Sequence, residues 1–231
     1  MAMEGGCKMI EEKIEEKKVI ALIIMRRGST GIKNKCMEKL GGKPLAKIMI
    51  DKCFESRYID DVYVSTSDDE YKEIVREWGC KVIDRPVELS EWDVPNLNVY
   101  KHAVTVLDIE DDDYVVCIDI CKPMTTVKMI DDVISVMHQG SFDSVFTVKP
   151  YSFQLADDKN AVVRQKLGKK PFMAAFGAVR AFTKKTIKDS KLGTWGKGEK
   201  HNDIPRIPKY HFDINDIEDF IAVEYLMMAG F

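Results

Sequence analysis

The sequence predicts an α/β protein built on a doubly wound, mostly parallel sheet. Three observations carry this. Val19-Ile20-Ala21-Leu22-Ile23-Ile24-Met25 is an unbroken apolar run rich in β-branches, the pattern of a strand buried on both faces. Short apolar strands then alternate with helical periodicities, and that rhythm calls for parallel pairing with right-handed crossovers. Finally, 45% of the 231 residues are hydrophobic, enough to fill the core of one sizeable domain.

The elements follow in order. Residues 1–17 form a polar leader with a mixed-charge run, and residues 18–231 a single domain. After the first strand and a basic turn, Leu40-Gly41-Gly42-Lys43-Pro44-Leu45 hands over to a helix with Pro44 at its first position, and residues 46–54 keep helical periodicity. Val62-Tyr63-Val64-Ser65-Thr66 is the second strand. Ser67-Asp68-Asp69-Glu70 caps a helix running to Trp78, which Gly79 closes. Lys81-Val82-Ile83-Asp84 is the third strand, and a helix containing Asn98, His102 and Ala103 follows Pro95. His102 packs or caps within that helix. Asp111-Asp112-Asp113 reads as a solvated acidic turn before residues 114–120, the central strand. Residues 127–138 are a helix ended by Gly140, and residues 144–148 another strand. Residues 149–171 are irregular and polar, and residues 172–182 alternate around Gly177. The lysine- and glycine-rich residues 184–200 read as a surface loop. A last strand over 210–215 places Asp213 and Asn215 on one face, and an apolar helix ends the chain.

Composition bounds the function. A formal net charge of -3 argues against a general nucleic-acid or anionic-membrane binder, while leaving room for a local basic cleft. No apolar run is long enough to cross a bilayer, and no signal-peptide pattern opens the chain. The six cysteines are scattered without paired spacing, and Cys117 and Cys121 have no histidine close in sequence. A reduced, cytoplasmic setting without a zinc site is the simpler expectation.

The chemistry is expected at the turn Arg26-Arg27-Gly28-Ser29-Thr30-Gly31-Ile32-Lys33-Asn34-Lys35. Ligands of open α/β sheets gather at the carboxyl ends of strands. Gly28 and Gly31 let backbone N–H groups approach an anion, and Arg26, Arg27, Lys33 and Lys35 supply charge. A phosphate-rich ligand fits this turn; the alternative is a solvated basic face. The turn is neither a Walker A loop nor a dinucleotide fingerprint.

The same stretch resembles the opening motif of the cytidylyltransferases that make CMP-activated sugar acids, the acylneuraminate and 3-deoxy-octulosonate enzymes. There the strand runs into Ala-Arg-x-Gly-Ser-Lys-Gly-Ile-Pro-x-Lys-Asn. Arg26, Gly28, Ser29, Gly31, Ile32 and Lys35 match, whereas Thr30, Lys33 and Cys36 replace Lys, Pro and Asn. The hexapeptide at Leu40 is typical of sugar-nucleotidyltransferases. Arg85-Pro86-Val87-Glu88-Leu89-Ser90 matches Arg-Pro-x-Glu-Leu-Ala/Ser, and the motifs keep the family's order from Val19 to Phe231.

The resemblance implies a Rossmann-like fold of the nucleotidyltransferase (GT-A-like) type, with residues 149–176 projecting as a dimerisation arm and the protein a homodimer. It implies transfer of CMP from CTP to a sugar acid with release of pyrophosphate and Mg²⁺ as cofactor. The alternatives are another nucleotide or a sugar phosphate, or a nucleotide-binding homologue without turnover. Arg26 and Lys35 would act on the triphosphate together with Gly28 and Ser29, and Arg85 would contact the nucleoside. Asp119, Gln165 and Phe176 would face the sugar, and Asp213 and Asn215 the metal; Asp119, an acidic residue at a strand end, can also hold Mg²⁺ or simply be solvated or hydrogen-bonded to a neighbouring loop. No residue stands out as the base. Departures cluster after the central strand: Gln-Pro-Thr-Ser-Pro-Leu-Arg of the sialic-acid enzymes is Asp119-Ile120-Cys121-Lys122-Pro123-Met124-Thr125 here, and only the proline survives. Phe176 stands where the family has Asn before Gly-Ala, as a sugar-stacking or a core residue. Asn215 replaces an Asp of Ile-Asp-Ile-Asp, and it also reads as an N-cap with Glu218 three residues on.

Overall fold

The computed structural model describes residues 17–29, 31–140, 142–151, 155–156, 162–163, 172–190, 201–205 and 212–230. Its strands are β1 (Val19–Ile24), β2 (Lys39–Leu40), β3 (Lys43–Pro44), β4 (Asp61–Thr66), β5 (Lys81–Asp84), β6 (Tyr114–Ile118), β7 (Ser144–Tyr151), β8 (Leu155–Ala156), β9 (Val162–Val163), β10 (Phe172–Thr183) and β11 (His201–Pro205). The helices are α1 (Leu45–Glu55), α2 (Asp69–Glu77), α3 (Asn96–Val106), α4 (Val127–Gly140), α5 (Lys184–Asp189) and α6 (Ile217–Met228).

The main sheet has seven strands in the order β11-β7-β10-β6-β1-β4-β5. β1 pairs in parallel with both β4 and β6, and only β10 runs antiparallel, between β6 and β7. The first strand's side chains divide between the two faces. Val19, Ala21 and Ile23 pack with Met49, Ile50, Val75, Ile130 and Val133 from α1, α2 and α4. Ile20 and Leu22 pack with Tyr100, Ala103 and Val104 of α3 and Ile187 of α5. Each such Ile or Leu stabilises the fold by about 1.5–3 kcal/mol, so the central strand is anchored from both layers. A third cluster of Leu40, Leu45, Ile214, Phe220 and Val223 joins α6 to the small β2–β3 hairpin.

The chain's route sets the position of the crevice. From β1 it passes through α1, β4, α2 and β5 toward one edge, then returns through α3 to β6 on the other side of β1. The strand order therefore reverses between β1 and β6, and the gap at their carboxyl ends is where α/β sheets bind ligands.

The structure corrects several sequence expectations. Residues 212–215 are not a strand; the segment instead crosses the end of β6, with Ile214 N donating to Cys121 O at 2.8 Å. Asp113 is buried, accepting from Lys18 N at 2.8 Å and Glu110 N at 2.7 Å, while Asp111 and Asp112 stay exposed on Lys188 and Lys17. Pro44 is the N-cap of α1 rather than its first residue, and α4 includes Gly140. Lys184–Asp189 is helix α5 rather than surface loop, residues 191–200 lie outside the described residues, and β11, parallel to β7, was not expected. Of the expected arm, only β8, β9 and the adjoining ends of β7 and β10 are described. No helix among the described residues is long and apolar enough to cross a membrane.

Candidate active site

A cleft of about 330 Å³ opens at the point where the strand order reverses. Its walls come from the end of β1 (Ile24, Met25, Arg26), the turn beyond it (Ser29, Lys35, Cys36), the exit of β6 (Ile118 to Cys121), and Arg85, Tyr100, Arg180 and Asn215. Arg26, Lys35, Arg85 and Arg180 face the carboxylates of Asp119 and Glu91, so positive charge dominates the lining. Low-dielectric walls carrying one sign of charge concentrate anions.

The turn is shaped by specific contacts. Ser29 N bonds to Arg27 O at 3.0 Å, and Asn34 adopts left-handed φ 58° just before Lys35. Asn tolerates that conformation, and here the Tyr71 hydroxyl donates to its side-chain oxygen. Lys35 Nζ then reaches Ile214 O at 2.7 Å, which joins the turn to the segment before α6. Gly31 makes that joint possible: a Cβ there would lie 1.9 Å from Asn215 O.

Arg85, buried at the end of β5, donates from Nη2 to Met25 O at 2.6 Å and from Nε to Ser90 Oγ at 3.0 Å. Burial and the nearby Arg26 push its guanidinium down to about 10, still cationic at neutral pH. It thus braces the end of β1 and contributes charge to the cleft from beneath. Arg26 donates to Glu91 O at 3.0 Å. Arg27 turns away, into ion pairs with Asp68 and Glu70 on α2, and does not serve the cleft. Burial raises the Cys36 thiol and pushes Cys121 up to about 12, so neither is a thiolate nucleophile at neutral pH.

The other expected site residues are distributed differently. Gly28 is on the turn with open space around it. Asp119 and Asn215 line the cleft, whereas Asp213 lies beside it, its Oδ2 3.0 Å from Lys122 Nζ. Lys122 also pairs with Asp119. That ammonium and the Cys121 N–H hold the Asp119 carboxyl below the usual range against the opposing effect of burial. Gln165 and Thr30 lie outside the described residues, and for Phe176 only its place in β10 is described. His102 does not line the cleft.

Asn215 is not the helix cap. Asp216 caps α6, accepting from Asp219 N at 2.9 Å, and Asp219 returns a carboxylate to Asn215 N at 2.9 Å. Asn215 Nδ2 instead bonds to Asp213 O at 3.2 Å. The residues therefore do not fit a protein-held Mg²⁺. A hard dication prefers several carboxylate, carbonyl or water oxygens. Here Asp213 is already paired with a buried ammonium and Asn215 brings no charge, and among the described residues no three or more His, Cys, Asp or Glu side chains gather into a metal site.

A cytidylyltransferase family model matches residues 20–173, from β1 through the end of the cleft-forming strands into β10. The chain belongs to the cytidylyltransferase family. It is 24% identical over 220 residues to a 3-deoxy-manno-octulosonate cytidylyltransferase of Hydrogenovibrio crunogenus, covering 90% of this chain and 86% of that one. It is 26% identical over 241 residues to the N-acylneuraminate cytidylyltransferase of Oncorhynchus mykiss, covering 97% of this chain but 54% of the relative, so the chain spans about half of that protein. Among solved structures, a CMP:2-keto-3-deoxy-manno-octonic acid synthetase complexed with CTP superposes with a TM-score of 0.69 at 11% identity, covering 93% of this chain and 100% of that one. That likeness is one of fold. Homologues of this cytidylyltransferase are nucleotidyltransferases, as the motif order led one to expect.

Arg180 in the cleft and Lys122 beside it are candidates that the sequence reading did not single out. Arg180 packs over Gly177, whose φ of 63° lies at a bulge in β10, and shares the lining of the cleft with Tyr100. The available signal was a lone arginine inside the apolar run Gly177-Ala178-Val179-Arg180-Ala181-Phe182. Lys122 carried no such signal: Asp119 is three residues away, but the second partner, Asp213, is remote in sequence.

Proposed function

We propose that the chain transfers CMP from CTP to the anomeric hydroxyl of a sugar acid and releases pyrophosphate. The observation that carries this reading is the cationic cleft between β1 and β6, formed by the family's own opening motif. The sugar hydroxyl oxygen attacks the α-phosphorus; the new O–P bond forms as the bond to the bridging oxygen of the β-phosphate breaks, pyrophosphate departs with the electron pair, and the hydroxyl proton passes to water. Arg26 and Lys35 stand where they can bind the triphosphate and offset charge on the leaving group, with Ser29 on the same turn. Arg85 keeps the end of β1 in place for the nucleoside, and Arg180 with Asp119 faces the remaining space, where an acidic sugar would meet a guanidinium.

The test is a pyrophosphate-release screen of purified protein, crossing the four ribonucleoside triphosphates with sugar acids and sugar phosphates. Turnover that requires CTP and a sugar acid is expected. Turnover with another nucleotide or a sugar 1-phosphate, or nucleotide binding without turnover, would replace this reading. The protein is further proposed to be a cytoplasmic homodimer; light scattering well above micromolar concentration should give twice the 26.4 kDa chain mass, and a monomer mass refutes the dimer.

A further inference from the structure

At the exit of β6, Lys122 is 5% exposed in its side chain, and its ammonium lies between two carboxylates from distant parts of the chain. Asp119 ends the central strand, and Asp213 belongs to the segment that leads into α6. The surrounding backbone holds the group in place. Lys122 N bonds to Asp119 O at 3.3 Å, Thr125 N and Oγ1 bond to Lys122 O at 3.0 and 2.8 Å, and Ile214 N bonds to Cys121 O at 2.8 Å. Two carboxylates brought together in a half-buried place repel each other unless a cation lies between them. Either a bound dication or an ammonium can serve. This chain supplies the ammonium from its own sequence, at the position where the sialic-acid motif has an uncharged serine.

We propose that Lys122 is a built-in cation that takes the place of a protein-held divalent metal at Asp213, fixing Asp119 in the wall of the cleft and Asp213 beside it. A dication at Asp213 would have to sit beside that ammonium, so the site excludes it by charge as well as by occupancy. Divalent ions then reach the cleft only on the phosphates of a nucleotide. Lys122 is a positioning residue: its ammonium acts through Asp119, which lines the cleft. The proposal rests on the cytidylyltransferase reading only for the identity of that nucleotide.

The probe is Mn²⁺ alone, titrated into nucleotide-free protein and followed by the paramagnetic resonance signal of the free ion, with circular dichroism to check folding. Wild type is expected to take up no Mn²⁺ up to about 1 mM, the weak end of oxygen-ligand protein sites. Lys122→Gln, which frees both carboxylates, should gain one Mn²⁺ site at least about tenfold tighter than that limit, because affinity follows ligand charge. Lys122→Gln with Asp213→Asn should lose it again. Uptake by wild type that disappears in Asp213→Asn overturns the proposal, and so does a folded Lys122→Gln that gains no site. Should Lys122→Gln not fold, wild type and Asp213→Asn decide alone: an Asp213-dependent site refutes and no uptake upholds. Because nucleotide is absent, failure of CTP to bind or turn over leaves this result intact.

Discussion

Gly31→Ala tests whether the basic turn and the segment before α6 form one unit. The added Cβ would lie 1.9 Å from Asn215 O and 3.0 Å from Asn215 C, both backbone atoms. Against an ordinary C···O separation of about 3.3 Å, roughly 1.4 Å must be relieved by moving one main chain away from the other. Moving the 212–216 segment strains the bond from Ile214 N to Cys121 O and the bond from Lys35 Nζ to Ile214 O, while Ile214 is fully buried. Overpacking of this kind costs about 1–3 kcal/mol, and weakening one neutral and one charged hydrogen bond costs a similar amount. A loss of about 2–3 kcal/mol should lower the melting temperature by roughly 5–10 °C in a domain of this size. The control is Gly28→Ala, whose Cβ meets nothing within 4 Å. It should melt like wild type, yet bind nucleotide less well if backbone N–H groups there approach phosphate. The assays are thermal melts and nucleotide titration calorimetry. A Gly31→Ala protein that melts within about 1 °C of wild type would show that the two segments are not held as described.

Other outcomes follow from the same geometry. Arg26→Met should reduce pyrophosphate release about 100-fold with little change in melting temperature, since its one backbone acceptor, Glu91 O, is on an exposed residue; unchanged turnover removes Arg26 from the triphosphate. Arg85→Met should destabilise by about 1.5–3 kcal/mol in urea unfolding, because the Met25 carbonyl and Ser90 hydroxyl lose a charged donor; a neutral effect would mean the brace is dispensable. Arg27→Gln should spare nucleotide binding but flatten the acid limb of stability. The Arg27 hydrogen bond holds the Asp68 carboxyl below its ordinary value, so this contribution is present above about pH 4 and lost as pH falls through the depressed value. Melts from about pH 6 to pH 3 check this, and an unchanged slope refutes it.

What could be read from the sequence was what local pattern determines. The β1 run, the Asp68 cap with Gly79 at φ 88°, and the cationic turn depend on residues within a few positions of one another. What could not be read depends on contacts across the chain. Asp113 looked solvated beside two other aspartates, yet it is the one that accepts from Lys18 N, because the start of β1 lies against it. Arg27 looked equivalent to Arg26 until α2 supplied Asp68 and Glu70. Asn215 looked like a cap because its residue type suits one; the cap falls one residue later, at Asp216, and its reciprocal partner is Asp219 rather than Glu218. Over the described residues 212–215 the expected strand is absent for a related reason: the burial of Ile214 between half-buried Asp213 and exposed Asn215 mimics strand alternation in a segment that only crosses the sheet end; residues 210 and 211 lie outside the described residues.

The departures from the family pattern after β6 also have an internal logic. A site losing its function by unconnected substitutions should leave buried polar groups without partners, each costing about 1–3 kcal/mol. The reverse is seen here. Asp119 accepts from Cys121 N and from the Lys122 ammonium, Lys122 reaches on to Asp213, and Thr125, fully buried, returns its hydroxyl and N–H to the Lys122 carbonyl. Cys36, another replacement, is buried with its thiol toward Arg26 O at 3.5 Å. Asp119, Lys122 and Thr125 are each partnered by another of these replacements, Cys36 is met by Arg26 O, and Arg26, Lys35, Arg85 and Arg180 remain in the lining of the cleft. Asp119→Gln, restoring the family's amide alone, should therefore impair rather than improve the site: it leaves the Lys122 ammonium with one carboxylate fewer in a nearly closed place. Reduced stability in urea together with weaker nucleotide binding is the expected result, and a gain in either would mean the substitutions are independent after all.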